Sequence, residues 1–438
     1  MNHVDKHSVV DVFTPTKPAR LTFVEREKLN EKLVNALKTP GKQIIVYGHS
    51  GSGKTTLLIN KLHQLYENHL TTRCIAYMTF EHLILNAFDQ LNAFYLSEKQ
   101  FTEIKSIKAS VRGEYLLLKS QVEAYTTAQA KESIKRYIPP QLTTQTLAKL
   151  LGSAKLCWVL EDFHKLPDEE KKKLAQSMKV FMDMSDEYPE LKIVAIGAVE
   201  TARQVVDYDP EMINRVAEIH VPLMSDEQIR SIISKGEALL NFSISSSVCD
   251  GIVSYTNGLA SVCHSLCLNI CNAAGIVESL QKKIDVTDSE LSKAVEQYIA
   301  EASDTLKSTF DKALKRHREV KYDNCRLILE ALATFPNEGA TRSQILQHIQ
   351  NIVKEYPVGN LTAYLKELET KERGIVLRYN HNSRRYSFSD PIFRTFALAV
   401  FNNDKKGKKK KDTEINIQDI SDTTLKKLFT LLIREIKK

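Results

Sequence analysis

The feature that most constrains the fold is a glycine-rich turn between a short apolar run and a helical pattern. The run QIIVY (43–47) predicts a buried strand, and the helical pattern after the turn continues to about Leu65. The turn matches GxxxxGK[ST], in which glycines let backbone N–H groups close around a phosphate. Its residues are Gly48, His49, Ser50, Gly51, Ser52, Gly53, Lys54, Thr55 and Thr56. The sequence therefore predicts an ATP-binding loop, in which Lys54 bridges the β- and γ-phosphates and Thr55 ligates Mg²⁺.

Further strand candidates alternate with helical stretches through the first half of the chain. A helical pattern covers residues 23–38, and the strand candidates are CIAYM (74–78), CWVL (157–160), KIVAIG (192–197) and EIHV (218–221). Strands that alternate with helices are typical of a parallel α/β sheet in three layers. Residues 96–150 lack a clear strand and predict a helical insertion, while Ser225 and Gln228 predict a capping box for a later helix. The expected fold class is α/β, a three-layer P-loop NTPase sheet followed by helices.

Two carboxylates, Glu161 and Asp162, directly follow the apolar run CWVL. At the end of such a strand, one carboxylate orders the water shell of Mg²⁺ and the next orients the attacking water. By position Glu161 takes the metal role and Asp162 the water role, which reverses the usual order of Asp then Glu. Asp162 reaches less far by about one C–C bond, and a misplacement of ~1 Å can cost ~10²-fold in rate. Slow hydrolysis is expected, with nucleotide binding and negligible turnover as the alternative.

The segments around these motifs resemble AAA+ proteins of the origin-recognition and archaeal-ATPase type, and also the STAND signalling ATPases. The resemblance begins with LTFVERE and GKQIIVYGHSGSGKTTLL, where residues 23–27 match an F-V-x-R-E element that lies near the adenine in those proteins. KIVAIGAVETA resembles the strand that carries the sensor-1 polar residue, and Thr201 is the nearest candidate for that residue. MINRVAEIHVPLM resembles the segment that holds the arginine finger, which implies this role for Arg215. TNGLASVCHSL resembles the lid motif, but residues 258–260 carry neither its Arg nor its Pro. The resemblance implies a switch rather than a processive motor.

Several other residues have ordinary structural interpretations. Cys263, Cys267 and Cys271 repeat at i, i+4 and i+8 and predict apolar core packing, because tetrahedral zinc needs CxxC-type spacing and a fourth ligand. His164, beside the paired acids, could sense the γ-phosphate, but a partly buried structural role is favoured. Arg203 could act as a second finger, but a solvated helix position is favoured.

The region 323–400 predicts three helices and then a hairpin. The helical patterns are NCRLILEALATF, TRSQILQHIQNI and VGNLTAYLKELETK, and the strands GIVLRY and RRYSFS flank the turn NHNS. This order is the winged-helix arrangement, which the family resemblance also implies. Residues 373–386 carry Arg373, Arg378, Arg384 and Arg385 without an acidic residue, so Arg378, Arg384 and Arg385 are DNA-contact candidates. Packing against the ATPase part or a protein partner is the alternative.

The charge and composition of the chain limit the partners and the cellular setting that we expect. The net charge of +7 lies entirely after residue 322, since the preceding residues carry equal numbers of basic and acidic side chains. The basic run DKKGKKKKD (404–412) predicts a solvated linker, and contact with nucleic acid is the more specific alternative. The stretch after this run predicts an amphipathic tail helix. Seven cysteines without framework spacing and the absence of an apolar signal segment favour a cytoplasmic protein. An apolar run long enough for a membrane span is also absent.

Together these observations predict five segments. They are an N-terminal arm (1–20), a P-loop ATPase domain (21–223), a helical lid (224–305), a winged-helix domain (306–400), and a basic linker with an amphipathic tail (401–438). The predicted function is a homo-oligomeric ATPase switch that uses ATP and Mg²⁺ and contacts DNA. The resemblance implies a setting in mobile elements or antiviral defence. The alternative is a nucleotide-gated signalling scaffold whose winged helix binds protein with little hydrolysis.

Overall fold

The computed structural model describes residues 6–66, 68–91, 142–198, 212, 214–302, 304–316, 321–381 and 383–413. These residues divide into two compact units. The first unit comprises residues 1–241, 258–265 and 278–282, and the second comprises 242–257, 266–277 and 283–438. No helix in the described ranges combines the length and apolarity that crossing a bilayer requires. The predicted insertion at 96–150 lies mostly outside these ranges, as does the tail after residue 413.

The first unit is built on a five-stranded parallel sheet. Its elements are α1 (Val9–Val12), α2 (Glu27–Lys38), β1 (Gln43–Tyr47), α3 (Lys54–Leu65), β2 (His69–Arg73), α4 (Phe80–Gln90), α5 (Thr144–Ser153), β3 (Cys157–Glu161), α6 (Asp168–Asp183), β4 (Lys192–Gly197), β5 (Val216–His220) and α7 (Asp226–Leu240). The strand order is β2-β3-β4-β1-β5, with every pairing parallel. The carboxyl ends of the strands therefore meet at one edge, where ligands of open α/β sheets bind.

Alternating residues of the central strands pack on opposite faces of the sheet. Ile45 belongs to the core cluster that contains residues of α4, α5 and α6, whereas Ile44 and Val46 belong to the cluster with α2 and α3. This alternation follows from the two-residue period of a strand. The predicted three-layer α/β fold is confirmed. The predicted capping box is also present, because Ser225 Oγ accepts from the N–H of Gln228.

One predicted strand was wrong. CIAYM does not form a strand, because β2 ends at Arg73 and the N–H of Cys74 donates to the carbonyl of Glu161, after which the chain leaves the sheet. Tyr77 is 81% exposed in the loop that follows. The actual strand, HLTTR, is an edge strand with alternating burial and few apolar residues, so the more apolar neighbouring run misled the prediction. The last strand was predicted two residues late, and α2 begins at Glu27 rather than at Phe23.

The second unit contains mostly helices. Its further elements are β6 (Phe242–Ile244), α8 (Ser246–Thr256), α9 (Ala260–Ala273, whose first residues belong to the first unit), β7 (Ile284–Val286), α10 (Asp288–Glu301), α11 (Asp304–Leu314), α12 (Asn324–Thr334), α13 (Arg342–Ile352), α14 (Val358–Glu367), β8 (Leu377–Asn380), β9 (Arg385–Phe388) and α15 (Pro391–Thr413). The antiparallel pair β8–β9 forms the predicted hairpin after three helices. One core cluster joins residues of α11 to α15.

Two predicted segment boundaries need correction. The expected N-terminal arm is packed, since α1 buries Val9 and Val12, and Phe13 after it is fully buried. The expected linker after residue 401 is helical, because α15 begins at Pro391 and continues through the lysine run to Thr413. Proline is favoured at the first helical position and lysine is a good helix former, which accounts for this continuation. The other segment boundaries stay predictions.

Candidate nucleotide-binding site

The glycine-rich loop joins β1 to α3 in the order that the sequence predicted. Gly51 has φ +77 and Gly53, the residue before α3, has φ +90, a region that favours glycine. A Cβ on Gly51 would lie 2.3 Å from Ser261 Oγ, so a larger residue cannot fit there without a shift. Lys54 Nζ donates to the carbonyls of Gly48 (3.0 Å) and His49 (2.8 Å), which holds the ammonium over the loop.

Arg26 holds this loop in place through hydrogen bonds to backbone carbonyls. The side chain is buried, and its Nη2 donates to the carbonyl of Ser52 while its Nη1 donates to the carbonyl of Pro222, both at 2.9 Å. Burial lowers the pKa of Arg26 to about 10, which leaves the guanidinium charged at neutral pH. The F-V-x-R-E element was expected near the adenine. Its arginine contacts the glycine-rich loop, its first two residues line the same cleft as that loop, and its Glu25 accepts from Lys61. The position near the adenine stays a prediction.

The loop forms one wall of a cleft of about 1020 Å³. The lining includes Gly51, Gly53, Lys54, Thr55 and Thr56, together with Arg73, Glu161 and Asp162. It also includes residues 10, 11 and 14–24, Ile232, Ala260, Ser261 and His264. The volume is that of a pocket for a ligand of nucleotide size. Residues of the glycine-rich loop and both predicted acids therefore line one cavity.

The two acids differ in position and in partner. Glu161 is the last residue of β3, and its Oε2 accepts from Arg73 Nε at 3.3 Å. Asp162 follows in the left-handed region with φ 55, and its Oδ2 accepts from Lys165 Nζ at 2.6 Å. Arg73 and Lys165 are both exposed, so each ion pair contributes little stability and can exchange for phosphate contacts. Arg73 was not predicted as a site residue, because the strand that ends with it was misplaced.

The residues present fit a magnesium ion held jointly with a nucleotide. Among the residues that the structure describes, no cluster of three or more His, Cys, Asp or Glu side chains could hold a metal. Mg²⁺ commonly uses one or two carboxylates together with phosphate oxygens and water, so a full protein cage is not needed. Thr55 and Glu161 line the same cleft and would supply the protein ligands. Ser52 Oγ, within the loop, is buried, and none of the residues that the structure describes forms a hydrogen bond with it.

Other predicted residues lie away from this cleft. Arg215 precedes β5 at the edge of the sheet, and its Nη1 donates to Asp183 at 2.9 Å. Because β1 and β5 are parallel, Arg215 lies at the end of the sheet opposite to the phosphate loop. Thr201 and Arg203 fall outside the described residues. His164 is exposed, so the expected partial burial was wrong. Cys263, Cys267 and Cys271 are buried free thiols, which confirms core packing.

The N-terminal segment is the main part of the site that sequence reasoning missed. Residues 6–24, here called the strap, run along the cleft. The strap is held by hydrogen bonds from the N–H of His7 to Ser279 Oγ (2.9 Å) and from the N–H of Thr14 to His264 Nδ1 (3.0 Å). Phe13 packs so closely on Gly236 that a Cβ there would lie 2.2 Å from its ring. The i, i+3, i+4 spacing of Val9, Val12 and Phe13 was the available signal.

The candidate DNA-contact arginines on the hairpin are not equivalent. Arg378 and Arg384 are exposed, whereas Arg385 is partly buried and its Nη1 donates to the carbonyl of Gly339 at 2.8 Å. Arg373 is only 5% exposed and its Nη2 donates to Glu367 at 2.8 Å. Arg373 was therefore wrongly counted as part of the basic surface. Two of the four arginines keep their guanidinium groups at the surface.

The match to a protein-family profile agrees with this geometry. Residues 22–180 match the family profile described as the AAA ATPase domain, while none of the curated proteins matches the chain. Among solved structures, a Walker-type ATPase of Pyrococcus abyssi is 15% identical, with a TM-score of 0.50, over 88% of this chain and 99% of that chain. The Aeropyrum pernix ORC2 protein is 13% identical, with a TM-score of 0.48, over 92% and 99% of the two chains.

At such low identity, the Pyrococcus abyssi structure supports the fold and nothing beyond it. The family match carries the assignment, and it covers both the glycine-rich loop and the paired acids. The same residues converge on the cleft at the carboxyl edge of the sheet. The chain therefore contains an AAA ATPase domain, which the match places within residues 22–180.

Proposed function

We propose that this protein is a nucleotide switch that binds ATP with Mg²⁺, hydrolyses it slowly, assembles with copies of itself and contacts DNA. The observation that carries the nucleotide part is the convergence of Lys54, Thr55, Glu161 and Asp162 on one cleft. Each of these side chains supplies a group that phosphoryl transfer needs. All seven cysteines are free thiols, in keeping with a cytoplasmic setting.

In the proposed reaction, each residue has one task. Lys54 would leave its carbonyl contacts and pair with the β- and γ-phosphates, and Thr55 with Glu161 would hold the magnesium ion. Bound Mg²⁺ neutralises charge that develops on the phosphate oxygens. Asp162 would orient the attacking water, for which its bond to Lys165 must loosen. The short reach of Asp162 is the reason to expect slow turnover.

The proposed DNA contact rests on the second unit. Helices α12, α13 and α14 precede the hairpin β8–β9, which is the order of elements in a winged helix. Arg378 and Arg384 are exposed on that hairpin. Arg378 Nε donates to Ser387 Oγ at 3.2 Å, and no acidic residue in the described part of the chain pairs with either arginine. Exposed arginines of this kind contact phosphates and position a protein on a duplex. A role in mobile elements or antiviral defence rests on the family resemblance alone.

A second candidate function is a signalling scaffold whose hairpin unit binds protein. This alternative is favoured by the burial of Arg373 and by the engagement of Arg385 with Gly339, which reduce the basic surface. The two candidates differ in what DNA does to the protein. A switch that contacts DNA changes its ATPase rate or its assembly when duplex is added, whereas a protein-binding scaffold does not.

The test measures the ATPase rate and particle mass with and without duplex DNA, and then the salt dependence of duplex binding. Log affinity falls with log salt by ~0.9 per phosphate contact, so replacing Arg378 and Arg384 by Ala should flatten the slope by about 2. Lys293→Ala, which removes an exposed lysine of α10, serves as the matched control and should leave the slope unchanged. Duplex binding with an unaltered slope in the double variant favours the scaffold.

A further inference from the structure

His264 is a polar group at the nucleotide cleft that the proposed hydrolysis does not use. It lies in the first turns of α9, is 4% exposed, and lines the cleft. Ser261, one turn earlier in α9, contacts Gly51 of the glycine-rich loop, so His264 lies about one helical turn beyond that contact. A histidine buried to this extent has a reason for its polarity or a partner that satisfies it. One ring nitrogen of His264 has a hydrogen-bond partner, and this bond determines whether the other ring nitrogen donates or accepts.

The strap fixes the tautomer of this imidazole. The N–H of Thr14 donates to Nδ1 at 3.0 Å, so Nδ1 is the acceptor. Burial lowers the pKa of His264 to about 4, which keeps the ring neutral at physiological pH. A neutral imidazole that accepts at Nδ1 carries its proton at Nε2 and donates there. Among the residues that the structure describes, none accepts a hydrogen bond from Nε2.

The neutral charge of His264 favours the base over the phosphates as the partner of this donor. The glycine-rich loop fixes where the phosphates lie, so the base lies in the part of the cleft beyond the loop. Pro15, Ile232 and Ala260 line the same cleft and give it apolar surface suited to a flat ring. A neutral imidazole has no net charge to attract a phosphate. Adenine offers acceptors at its ring nitrogens N1, N3 and N7, whereas its exocyclic amine offers donors.

We propose that His264 is a specificity-determining residue whose Nε2–H donates a hydrogen bond to a ring nitrogen of the adenine. This inference rests on the proposed function, because it names how the same site recognises the base of its nucleotide. The strap then has a second role besides lining the cleft. By donating to Nδ1, Thr14 holds the histidine in the one tautomer that can recognise an acceptor.

The test compares ATP with its 1-deaza, 3-deaza and 7-deaza analogues, each of which replaces one ring nitrogen by C–H. Dissociation constants are measured by calorimetry for the wild type, His264→Asn and His264→Gln. One analogue should bind the wild type about fivefold to tenfold more weakly than ATP, which corresponds to one net hydrogen bond. His264→Asn keeps an acceptor for the N–H of Thr14 but loses the donor at the Nε2 position, so the analogue and ATP should then bind equally well. His264→Gln places a donor near the Nε2 position, so part of the difference in affinity between ATP and the analogue should return.

Three results would overturn the proposal. All three analogues could bind the wild type as tightly as ATP, or the penalty could persist in His264→Asn. A penalty could also appear with 2′-deoxy-ATP and be abolished by His264→Asn, which would assign the donor to the ribose. If His264→Asn does not fold, the analogue series on the wild type and His264→Gln decide. Failure of the wild type to bind ATP itself would instead contradict the proposed function, which Lys54→Ala tests separately.

Discussion

At the scale of single residues, the site combines groups that the sequence motif names with groups that only the fold brings in. Lys54, Thr55, Glu161 and Asp162 were predicted because their chemistry is tied to a local pattern. Arg26 and His264 act through contacts more than 190 residues apart in sequence, to the carbonyl of Pro222 and from the N–H of Thr14. Such contacts leave no local spacing, so these two roles could not be predicted from the sequence.

The buried His264 makes the first unit sensitive to acid. Burial lowers its pKa to about 4, whereas an unfolded histidine titrates near 6.5. Between these values the unfolded chain binds more protons, so the free energy of unfolding falls as the pH falls through this window. Relative to His264→Asn, the wild type should lose about 2 kcal/mol between pH 7 and pH 5. Urea unfolding can be followed by the fluorescence of Trp158, the single tryptophan, which is fully buried in β3. An equal loss in both proteins would contradict this assignment.

At the scale of elements, the sequence predicted strands correctly where an apolar run forms a buried central strand. QIIVY and KIVAIG are central strands that are buried except at Tyr47, so apolar runs located β1 and β4 to the residue. Prediction failed at β2, an edge strand that needs few apolar residues, and in the lysine run, where helix propensity outweighs the expectation of a linker. It also failed for the strap, whose apolar residues are stabilised by contacts with distant parts of the chain.

The strap should control how fast nucleotide leaves the cleft. Phe13 is fully buried against Gly236 and its ring lies 6.2 Å from that of His264, so it holds the segment that carries Thr14. Phe13→Ala removes this anchor, and we expect nucleotide to dissociate roughly tenfold faster, the equivalent of one lost hydrogen bond. Phe13→Leu retains most of the apolar volume and serves as the control. Stopped-flow release of a fluorescent nucleotide measures both, and equal rates in the two variants would contradict the role of the strap.

At the scale of the whole molecule, we propose that Arg215 connects hydrolysis with assembly. It precedes the edge strand β5 and lies at the end of the sheet opposite to its own phosphate loop, so the proposed finger would serve the site of a neighbouring copy. An arginine finger supplied in trans is worth ~10³-fold or more in rate. Specific activity should therefore rise with protein concentration, and Arg215→Ala should abolish that rise without weakening ATP binding.

Two controls sharpen the test of Arg215. Asp183→Asn removes the ion-pair partner of Arg215 but keeps the guanidinium, so the concentration dependence should persist. A mixture of Arg215→Ala and Lys54→Ala proteins should recover part of the activity, because each supplies the group that the other lacks. Activity that is independent of concentration in a monomeric protein would contradict hydrolysis in trans.

The central claim is that one cleft binds ATP and hydrolyses it with the acids in reversed order. Its most direct test is a paired measurement of ATP affinity and phosphate release for the wild type, Asp162→Asn and Glu161→Asp. Asp162→Asn should bind ATP as the wild type does and lose ~10²-fold or more in turnover, since it cannot orient water as a base. Glu161→Asp should keep more activity, because a metal contacted through water tolerates the shorter acid. Turnover of Asp162→Asn at the wild-type rate would contradict the account.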